Sequence, residues 1–410
     1  MLWAFGLKRF IRHGTLTVID AGGRQHRFGN GQAPGCTIKL HDKALHRQLL
    51  INPDLYLGEA YMNGTLTMES GTLHHLLTVF GVNLEDGPAF PWEAIEDALS
   101  PILLRLQQWN RLARSKQNVA HHYDLSERLY RLFLDEDMQY SCAYFTSPDA
   151  SLEQAQRDKK RHIAAKLLLK PGMGVLDIGC GWGGLAIYLA QRYGVRVTGL
   201  TLSEEQHRVA TQRAKDAGLQ DRVQFHLRDY RHETGSYDRI VSVGMFEHVG
   251  TRYYKTFFDK VKALLTADGV ALLHSIGRAD GPETTNPWLR KYIFPGSGAP
   301  ALSEVLPVVE KTGLWVTDIE ILRLHYAYTL AQWAKRFETH RAEIAQLYDE
   351  RFCRMWEFYL ASAEMYFRYC NVMVFQMQLA RNINAVPVTR DYMVDGEREQ
   401  DRPEKSYAAA

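Results

Sequence analysis

The sequence predicts an α/β protein with a doubly wound, mostly parallel sheet and a smaller α+β domain at its N-terminus. The first observation is the segment 174–184, where a short apolar run breaks into glycines and continues as a helical pattern. The second is that strand-like and helical patterns then alternate along the chain, which is typical of a parallel sheet covered by helices on both faces. The third is an alternating apolar pattern from Thr15 that turns at Gly22 and Gly23, as a hairpin does.

The composition is that of an ordinary globular chain and excludes several classes of protein. Of 410 residues, 46% are hydrophobic and 23% charged, and the formal net charge of +2 provides no general field for nucleic acid. The five cysteines form no C-x-x-C pair, so we expect neither a disulfide framework nor a metal site, and a reducing cytoplasm fits best. No apolar run is long enough to span a membrane, and the N-terminus does not resemble a signal peptide.

Residues 1–82 are expected to form the N-terminal α+β domain. The hairpin is followed by a strand near Ile38, a helix at 42–51 and an apolar-aromatic patch at 56–62. This domain has either an ordinary packed core or a surface for lipid or for a second subunit. The rest of the chain is predicted to contain a linker with a linking helix at 83–114, a catalytic domain at 115–386, and a polar tail at 387–410 that is mobile beyond Asp391.

The main domain is predicted to continue as regular β-α units after the glycines. Strands are expected at 195–202, 223–228, 240–244, 270–275 and 315–321. Residues 277–300 form a long loop, a feature that is often functional. Residues 329–370 are helical, and a last strand is predicted where apolar residues alternate with Gln376 and Gln378. Ligands of such sheets bind beyond the carboxyl ends of the strands, so residues just after each strand are the site candidates.

The glycine turn after the first of these strands predicts a cofactor site. Glycine lets the backbone turn sharply at Gly179 and Gly181 and lets a ligand approach closely. The next helix points its first backbone amides toward such a ligand, and Asp177 lies at the strand end. Strand, turn and helix together indicate a nucleotide-type cofactor, and the alternative is a tight turn without a ligand.

The next two strand ends carry further candidates. Thr201 stands where a nicotinamide-dinucleotide enzyme usually has an acid. Gln206 follows on the helix, where the alternative is that it only forms a capping box with Ser203. Asp229 follows the third strand and is placed to accept a hydrogen bond from an adenine amino group, the alternative being a surface turn.

The fourth and fifth strands bring acid-base groups together. Glu247 and His248 come just after the fourth strand, and His274 lies in the fifth among apolar neighbours. A lone histidine there is normally a satisfied core residue. Two polar groups that converge on one crevice between adjacent strands nevertheless indicate chemistry.

Several motifs in one order resemble those of the cyclopropane-fatty-acid synthases, S-adenosylmethionine-dependent enzymes that include the mycolic acid cyclopropane synthases. The motifs read YDLS, YSCAYF, LDIGCGWGG, GLTLS, MFEHVG and LHSIG, and begin at Tyr123, Tyr140, Leu176, Gly199, Met245 and Leu273. The resemblance covers residues 115–386, and it implies that the predicted sheet is of the class I methyltransferase-like, Rossmann type. Residues 1–82 resemble the lipid-binding and dimer-forming domain of the phospholipid-acting branch.

The resemblance also implies roles for individual residues. The residues that it implies hold S-adenosylmethionine are Tyr140, Ser141, Gly179, Gly181, Thr201 and Gln206, with Asp229 and Tyr230 beside its adenine. The residues that it implies bind a bicarbonate ion are Cys142, Glu247, His274, the Ile276 backbone and Tyr326, with Tyr328 as the alternative to Tyr326.

The implied reaction adds a carbon from S-adenosylmethionine to the cis double bond of an unsaturated phospholipid acyl chain and closes a cyclopropane ring. An alkene is a weak nucleophile, so the sulfonium methyl must be held close to it and in line. The methylated carbocation must be kept from water, and a base must remove a proton from the new methyl group. Bicarbonate can be that base, because its O–H can donate to Glu247 and the two anions then need not repel.

Two other functions stay open, and so does the manner of membrane contact. The first alternative is a lipid C-methyltransferase that closes no ring; the second is a non-catalytic lipid-binding protein, which the intact glycine turn and Glu247 disfavour. We expect a homodimer that associates peripherally with the inner face of the membrane. The candidate membrane contacts, which are equally explicable as core or subunit contacts, are Trp3, Phe5, Lys8, Arg9 and Arg12, or residues 288–294.

Overall fold

The computed structural model describes residues 2–84 and 125–400. The strands are β1 (Thr15–Ile19), β2 (Gln25–Gly29), β3 (Gly35–Leu40), β4 (Leu66–Ser70), β5 (Gly174–Ile178), β6 (Arg196–Thr201), β7 (Val223–Leu227), β8 (Tyr237–Val243), β9 (Leu265–Arg278), β10 (Trp315–Ile321) and β11 (Val372–Ala380). The helices are α1 (Leu2–Phe10), α2 (Leu45–Ile51), α3 (Pro53–Met62), α4 (Leu73–Gly81), α5 (Glu127–Phe133), α6 (Leu152–Leu167), α7 (Gly184–Tyr193), α8 (Glu204–Asp216), α9 (Tyr254–Leu264), α10 (Pro287–Tyr292), α11 (Leu302–Thr312), α12 (His325–Thr339), α13 (Arg341–Leu347), α14 (Glu350–Tyr369) and α15 (Asp391–Gln400).

The chain divides into two compact units. The first comprises residues 1–107, 283–295 and 327–372, and the second comprises residues 108–282, 296–326 and 373–410. The first unit therefore takes two segments that the sequence analysis assigned to the catalytic domain. The predicted linking helix lies outside the described residues, and the predicted domain boundaries stay predictions.

The first unit contains a four-stranded sheet in the order β2-β1-β3-β4. β1 pairs with β2 antiparallel and with β3 parallel, and alternate residues of β1 are buried, as the alternating pattern predicts. The predicted long loop 277–300 contains the helix α10, because Pro287 occupies its first turn and the Asn286 side chain accepts from the amides of Trp288 and Leu289. The Trp288 ring is fully buried and meets Phe358 edge-on at 4.7 Å between ring centroids.

The second unit is built on a seven-stranded sheet in the order β10-β11-β9-β8-β5-β6-β7. β5 to β9 are mutually parallel, and β10 runs antiparallel to β11, so the predicted mostly parallel sheet is confirmed. Alternate residues of β5 point to opposite faces: Leu176 belongs to the core beneath α9 and α11, whereas Val175 belongs to the core beneath α7 and α8. β6 and β8 flank β5 on opposite sides, and in such sheets this reversal of strand order opens a crevice at the carboxyl ends.

The C-terminal segment differs from the sequence prediction. The described residues 391–400 form the helix α15 where a mobile tail was expected. The helix is held by polar contacts that a sequence pattern does not reveal: Glu397 contacts His162, and the Tyr392 hydroxyl donates to Gln378 Oε1 at 3.0 Å. No described helix is long and apolar enough to cross a membrane.

Candidate active site

A pocket lies at the carboxyl ends of β5 to β8. It is lined by the residues that follow β5, β6, β7 and β8 and by the segment 138–141 before α6. The pocket-lining residues that the sequence analysis assigned to the cofactor are Tyr140, Ser141, Asp177, Gly179, Gly181, Thr201, Gln206, Asp229 and Tyr230. The structure therefore brings all of these side chains and glycines to one crevice.

The glycine turn forms the floor of the pocket in a conformation that requires glycine. Gly179 and Gly181 have φ values of +84° and +53°, which other residues rarely adopt. A Cβ at Gly179 would lie 2.7 Å from the Met245 Cβ, whereas a Cβ at Gly181 would meet nothing within 4 Å. Gly181 lines the pocket and the space that its Cβ would fill is empty, so a ligand has room to approach the backbone there.

Polar groups after β6 are connected to each other. The Thr201 hydroxyl donates to Gln206 Oε1 at 2.8 Å, and the Ser203 hydroxyl accepts from the Gln206 amide at 3.2 Å. Ser203 therefore caps α8, as the sequence predicts, while the Gln206 side chain is held toward the pocket. This leaves the Gln206 side-chain NH₂ to donate to a ligand.

Asp229 after β7 is clamped by a residue that the sequence analysis missed. The Arg231 guanidinium donates to both carboxylate oxygens of Asp229, at 2.8 and 2.6 Å. Burial opposes ionisation, but this bidentate contact keeps the pKa of Asp229 below its usual value. The Arg231 backbone amide also donates to Asp229 Oδ1, at 2.9 Å. Asp229 is thus a fixed carboxylate beside Tyr230, and the remaining lone pair of Oδ2 can accept from a ligand.

Lys159 is the second residue that the sequence analysis missed. This fully buried lysine of α6 lines the pocket and donates to Gln139 Oε1 at 2.7 Å and to Ser141 Oγ at 2.9 Å. Burial lowers the pKa of Lys159 to about 8. Burial also raises the pKa of Asp177 to about 7, although Lys159 opposes this, and the buried Asp177 Oδ2 has no hydrogen-bond partner among the described residues. The signal for Lys159 in the sequence was its helical spacing from apolar residues that are buried on the same side of α6.

Glu247 and Ile276 are in direct contact. Glu247 Oε1 accepts from the Ile276 amide at 2.7 Å, while its Oε2 is buried and has no hydrogen-bond partner among the described residues. Burial raises the pKa of Glu247 to about 7 and lowers that of the neighbouring His248, a pocket-lining residue, to about 4. An unsatisfied oxygen on a buried carboxyl group calls for an explanation, because buried polar atoms normally have a hydrogen-bond partner.

His274 lies in β9 next to the strand that precedes Glu247. It pairs with Val243 of β8, and its backbone carbonyl accepts from the Gly244 amide at 2.9 Å. The ring Nδ1 lies 3.1 Å from the side-chain nitrogen of Gln376. Burial lowers the pKa of His274 well below its usual value, so the ring is neutral.

The two remaining predicted residues are buried close to the same segment of chain. Cys142, one residue after Ser141, is fully buried, and the side chain of Tyr326 is 9% exposed. Tyr326 follows His325, whose Nδ1 accepts from the Phe145 amide at 2.9 Å.

Tyr328, the alternative to Tyr326, belongs to the other unit. There its ring lies beneath the Arg368 guanidinium at 5.7 Å.

Comparison with known families gives two matches. Residues 110–377 match the family described as mycolic acid cyclopropane synthetase. Residues 10–85 match a family described only as a domain of unknown function.

Three similar proteins illustrate the range of relatives. The cyclopropane-fatty-acyl-phospholipid synthase of Escherichia coli is 39% identical over 363 residues, which cover 88% of this chain and 92% of that protein. A probable fatty acid methyltransferase of Pseudomonas putida is 37% identical over 351 residues, which cover 82% of this chain and 84% of that protein. The structure of a mycolic acid cyclopropane synthase, CmaA1, complexed with SAH and CTAB superposes with a TM-score of 0.62 at 34% identity, covering 65% of this chain and 98% of that one.

Proposed function

The chain belongs to the mycolic acid cyclopropane synthetase family and is an S-adenosylmethionine-dependent, lipid-modifying methyltransferase, and we propose that it closes a cyclopropane ring on an unsaturated phospholipid acyl chain. The observation that carries the ring-closing part of the proposal is the buried, unsatisfied Oε2 of Glu247, near the pocket and in contact with the Ile276 amide. Ring closure needs a base for the methyl proton, and a free acceptor oxygen on a buried carboxyl group supports the proposal that Glu247 holds one.

The described residues fit S-adenosylmethionine at the pocket. Gly179 permits the sharp turn and Gly181 leaves room for a close approach of the cofactor to the backbone. Thr201 and Gln206 offer polar groups, and Asp229 offers a carboxylate oxygen for an adenine amino group. Ser141 receives a hydrogen bond from Lys159, so its own hydroxyl proton is left for an acceptor on the ligand. The cofactor would supply the electrophilic sulfonium methyl group.

The residues around Glu247 fit bicarbonate, which would supply the base. Glu247 and His274 are both buried, and one offers an acceptor while the other offers a neutral imidazole. Cys142, the Ile276 backbone and Tyr326 are the further proposed ligands, and burial of Tyr326 supports it over Tyr328. The thiol of Cys142 donates to the Ala143 carbonyl at 3.3 Å and so keeps its proton, which argues against a role as a nucleophile.

Exclusion of water is the other task of the chain. Glu247, His274 and Cys142 are all below 9% exposed, and the residues that precede Glu247 and His274 in the chain, Phe246 and Leu273, belong to an apolar core of the second unit. A developing carbocation in such surroundings is protected from quenching by solvent.

We also propose that the enzyme is a homodimer that docks on the cytoplasmic membrane surface.

A lipid C-methyltransferase that closes no ring is the second candidate. It is favoured by the likeness to the probable fatty acid methyltransferase of Pseudomonas putida, whose identity of 37% is close to that of the cyclopropane synthase, 39%. The two functions share the methyl transfer and differ in the proton that is lost afterwards.

The methyl transfer itself can be tested with purified protein, S-adenosylmethionine labelled in the methyl carbon, and liposomes of phosphatidylethanolamine with cis-unsaturated chains. The proposal predicts that label enters the acyl chains, and it predicts none with liposomes of fully saturated chains. Label in the headgroup, or equal incorporation with saturated chains, would contradict it.

A further inference from the structure

A buried chain of polar groups lies behind His274. Lys166 of α6, Gln376 of β11 and His274 of β9 are 1%, 0% and 2% exposed. Lys166 Nζ donates to Gln376 Oε1 at 2.7 Å, and the Gln376 side-chain nitrogen lies 3.1 Å from His274 Nδ1. Three buried polar residues from three elements thus form one line that ends on a proposed ligand of the anion.

The direction of each hydrogen bond in this line is determined by chemistry. A lysine ammonium group can only donate, so the atom of Gln376 that faces Lys166 is its oxygen and the atom that faces His274 is its NH₂. The NH₂ group donates, so His274 Nδ1 must be the acceptor. A neutral imidazole that accepts at Nδ1 carries its proton on Nε2.

Acidic residues on neighbouring elements support the charge of Lys166. Its Nζ contacts Glu320 Oε2 of β10, which also accepts from His162 Nε2 at 2.6 Å. Burial opposes ionisation, but His162 and Lys166 together lower the pKa of Glu320 to about 2, so this group is a carboxylate. Burial lowers the pKa of Lys166, and the Glu320 carboxylate opposes that effect. The ammonium group is therefore paired and stays a donor to Gln376.

We propose that Lys166 and Gln376 are positioning residues that hold His274 as the tautomer with its proton on Nε2, so that the ring is a hydrogen-bond donor to the anion of the active site. Glu247 Oε2 then provides an acceptor. One donor and one acceptor match an ion that has both a charged oxygen and an O–H group, as bicarbonate does. The role of the anion rests on the proposed function, whereas the tautomer of His274 does not.

The tautomer can be measured directly on the unmodified protein. ¹⁵N NMR of protein labelled in the histidine rings distinguishes a protonated ring nitrogen from an unprotonated one, and the His274→Asn spectrum identifies which signals belong to His274 among the 16 histidines. The inference predicts an unprotonated Nδ1 and a protonated Nε2 on His274. A proton on Nδ1 would overturn it, whatever the enzyme's activity.

A pair of matched variants tests the consequence for the anion. Gln376→Met removes the donor to His274, whereas Gln378→Met changes the next buried glutamine on the same face of β11, which bonds the Lys166 carbonyl and Tyr392 instead. We expect the His274 ring of Gln376→Met to be a mixture of the two neutral tautomers. The bicarbonate concentration for half-maximal activity should rise roughly 10- to 100-fold, which is the effect that loss of an outer-shell partner has at metal sites. Binding of S-adenosylhomocysteine should be unchanged.

The Gln378→Met control is expected to leave the His274 signals and the bicarbonate requirement as they are. Equal effects of the two variants on the His274 signals would mean that Gln376 acts only through packing, and would overturn the inference. If the tautomer is as inferred but bicarbonate has no effect on the activity of the unmodified enzyme, then bicarbonate is not the base and that part of the proposed function is wrong. The inferred positioning of His274 by Gln376 and Lys166 would still hold.

Discussion

Glu247 and Ile276 form a half-satisfied contact: one oxygen of the carboxyl group accepts from the Ile276 amide at 2.7 Å, and the other is buried with no hydrogen-bond partner among the described residues. Leaving a buried oxygen unpaired costs on the order of 1–3 kcal/mol. A ligand that donates a hydrogen bond to this second oxygen would offset that cost.

Replacing the carboxyl group by an amide tests this directly. Glu247→Gln keeps the shape but loses the acidic group that would share a proton with the base, so we expect the rate of product formation to fall by roughly 10²- to 10⁴-fold. The matched control is Glu304→Gln, a half-buried position whose carboxylate caps α11 by accepting from the Ala301 amide at 3.0 Å. The steady-state rates of product formation of the two variants are compared with that of the wild type. Equal rates for the two variants would contradict the role of Glu247.

The raised pKa of Glu247 predicts how the stability of the ligand-free protein depends on pH. Its carboxyl group has a pKa of about 7 in the folded state against 4.5 for the ordinary value, so the unfolded chain ionises first as the pH rises. The free energy of unfolding of the wild type therefore decreases relative to that of Glu247→Gln between about pH 4.5 and pH 7, by on the order of 3 kcal/mol. Urea unfolding across this range measures the difference, and a difference that does not change with pH would refute the assignment.

Lys159 is expected to matter for cofactor affinity. Lys159→Met removes the donors to Gln139 and Ser141 and leaves Asp177 without a nearby cation. Hydrogen bonds to charged groups contribute about 1.5–3 kcal/mol, so the Kd for S-adenosylhomocysteine should rise roughly 10- to 100-fold by titration calorimetry. The exposed Lys170→Met serves as the control, and the interpretation fails if both variants bind alike.

The two glycines of the turn should respond differently to alanine. Gly179→Ala forces a Cβ against Met245 as well as an unfavourable φ, so it should lower the Tm of the free protein strongly. Gly181→Ala meets no atoms within 4 Å, so its cost in stability is limited to about 1–2 kcal/mol of backbone strain. Its Cβ occupies ligand space, and the increase in Tm caused by S-adenosylhomocysteine should be lost. A full increase in the Gly181→Ala variant would show that the ligand does not approach this residue.

The sequence was sufficient to predict the sheet and the position of the pocket because both depend on local patterns. The glycine turn at Gly179 and Gly181, and polar residues such as Thr201 and Asp229 at strand ends, carry their signal within a few residues. In a parallel sheet these strand ends must meet at one edge, so their convergence follows from the fold.

The contacts behind the site were not predictable in the same way. Lys159 and Lys166 are polar residues on the buried face of α6, and their partners Ser141 and Gln376 are distant in sequence. The alternation of β11 suggested a strand with one polar face, but Gln376 is fully buried because Lys166 and His274 satisfy it. Buried polar residues look like solvent-exposed ones in sequence until their partners are known.

The measurement that tests the central claim most directly uses S-adenosylmethionine with a trideuterated methyl group, liposomes of cis-unsaturated phospholipid, and mass spectrometry of the released fatty acids before and after catalytic hydrogenation. Ring closure removes one deuteron from the transferred methyl group, so the account predicts a product that retains two of the three deuterons and takes up no hydrogen. A product that takes up hydrogen, whether it retains two deuterons or three, would mean methyl transfer without ring closure and would contradict the proposed role of Glu247 and His274.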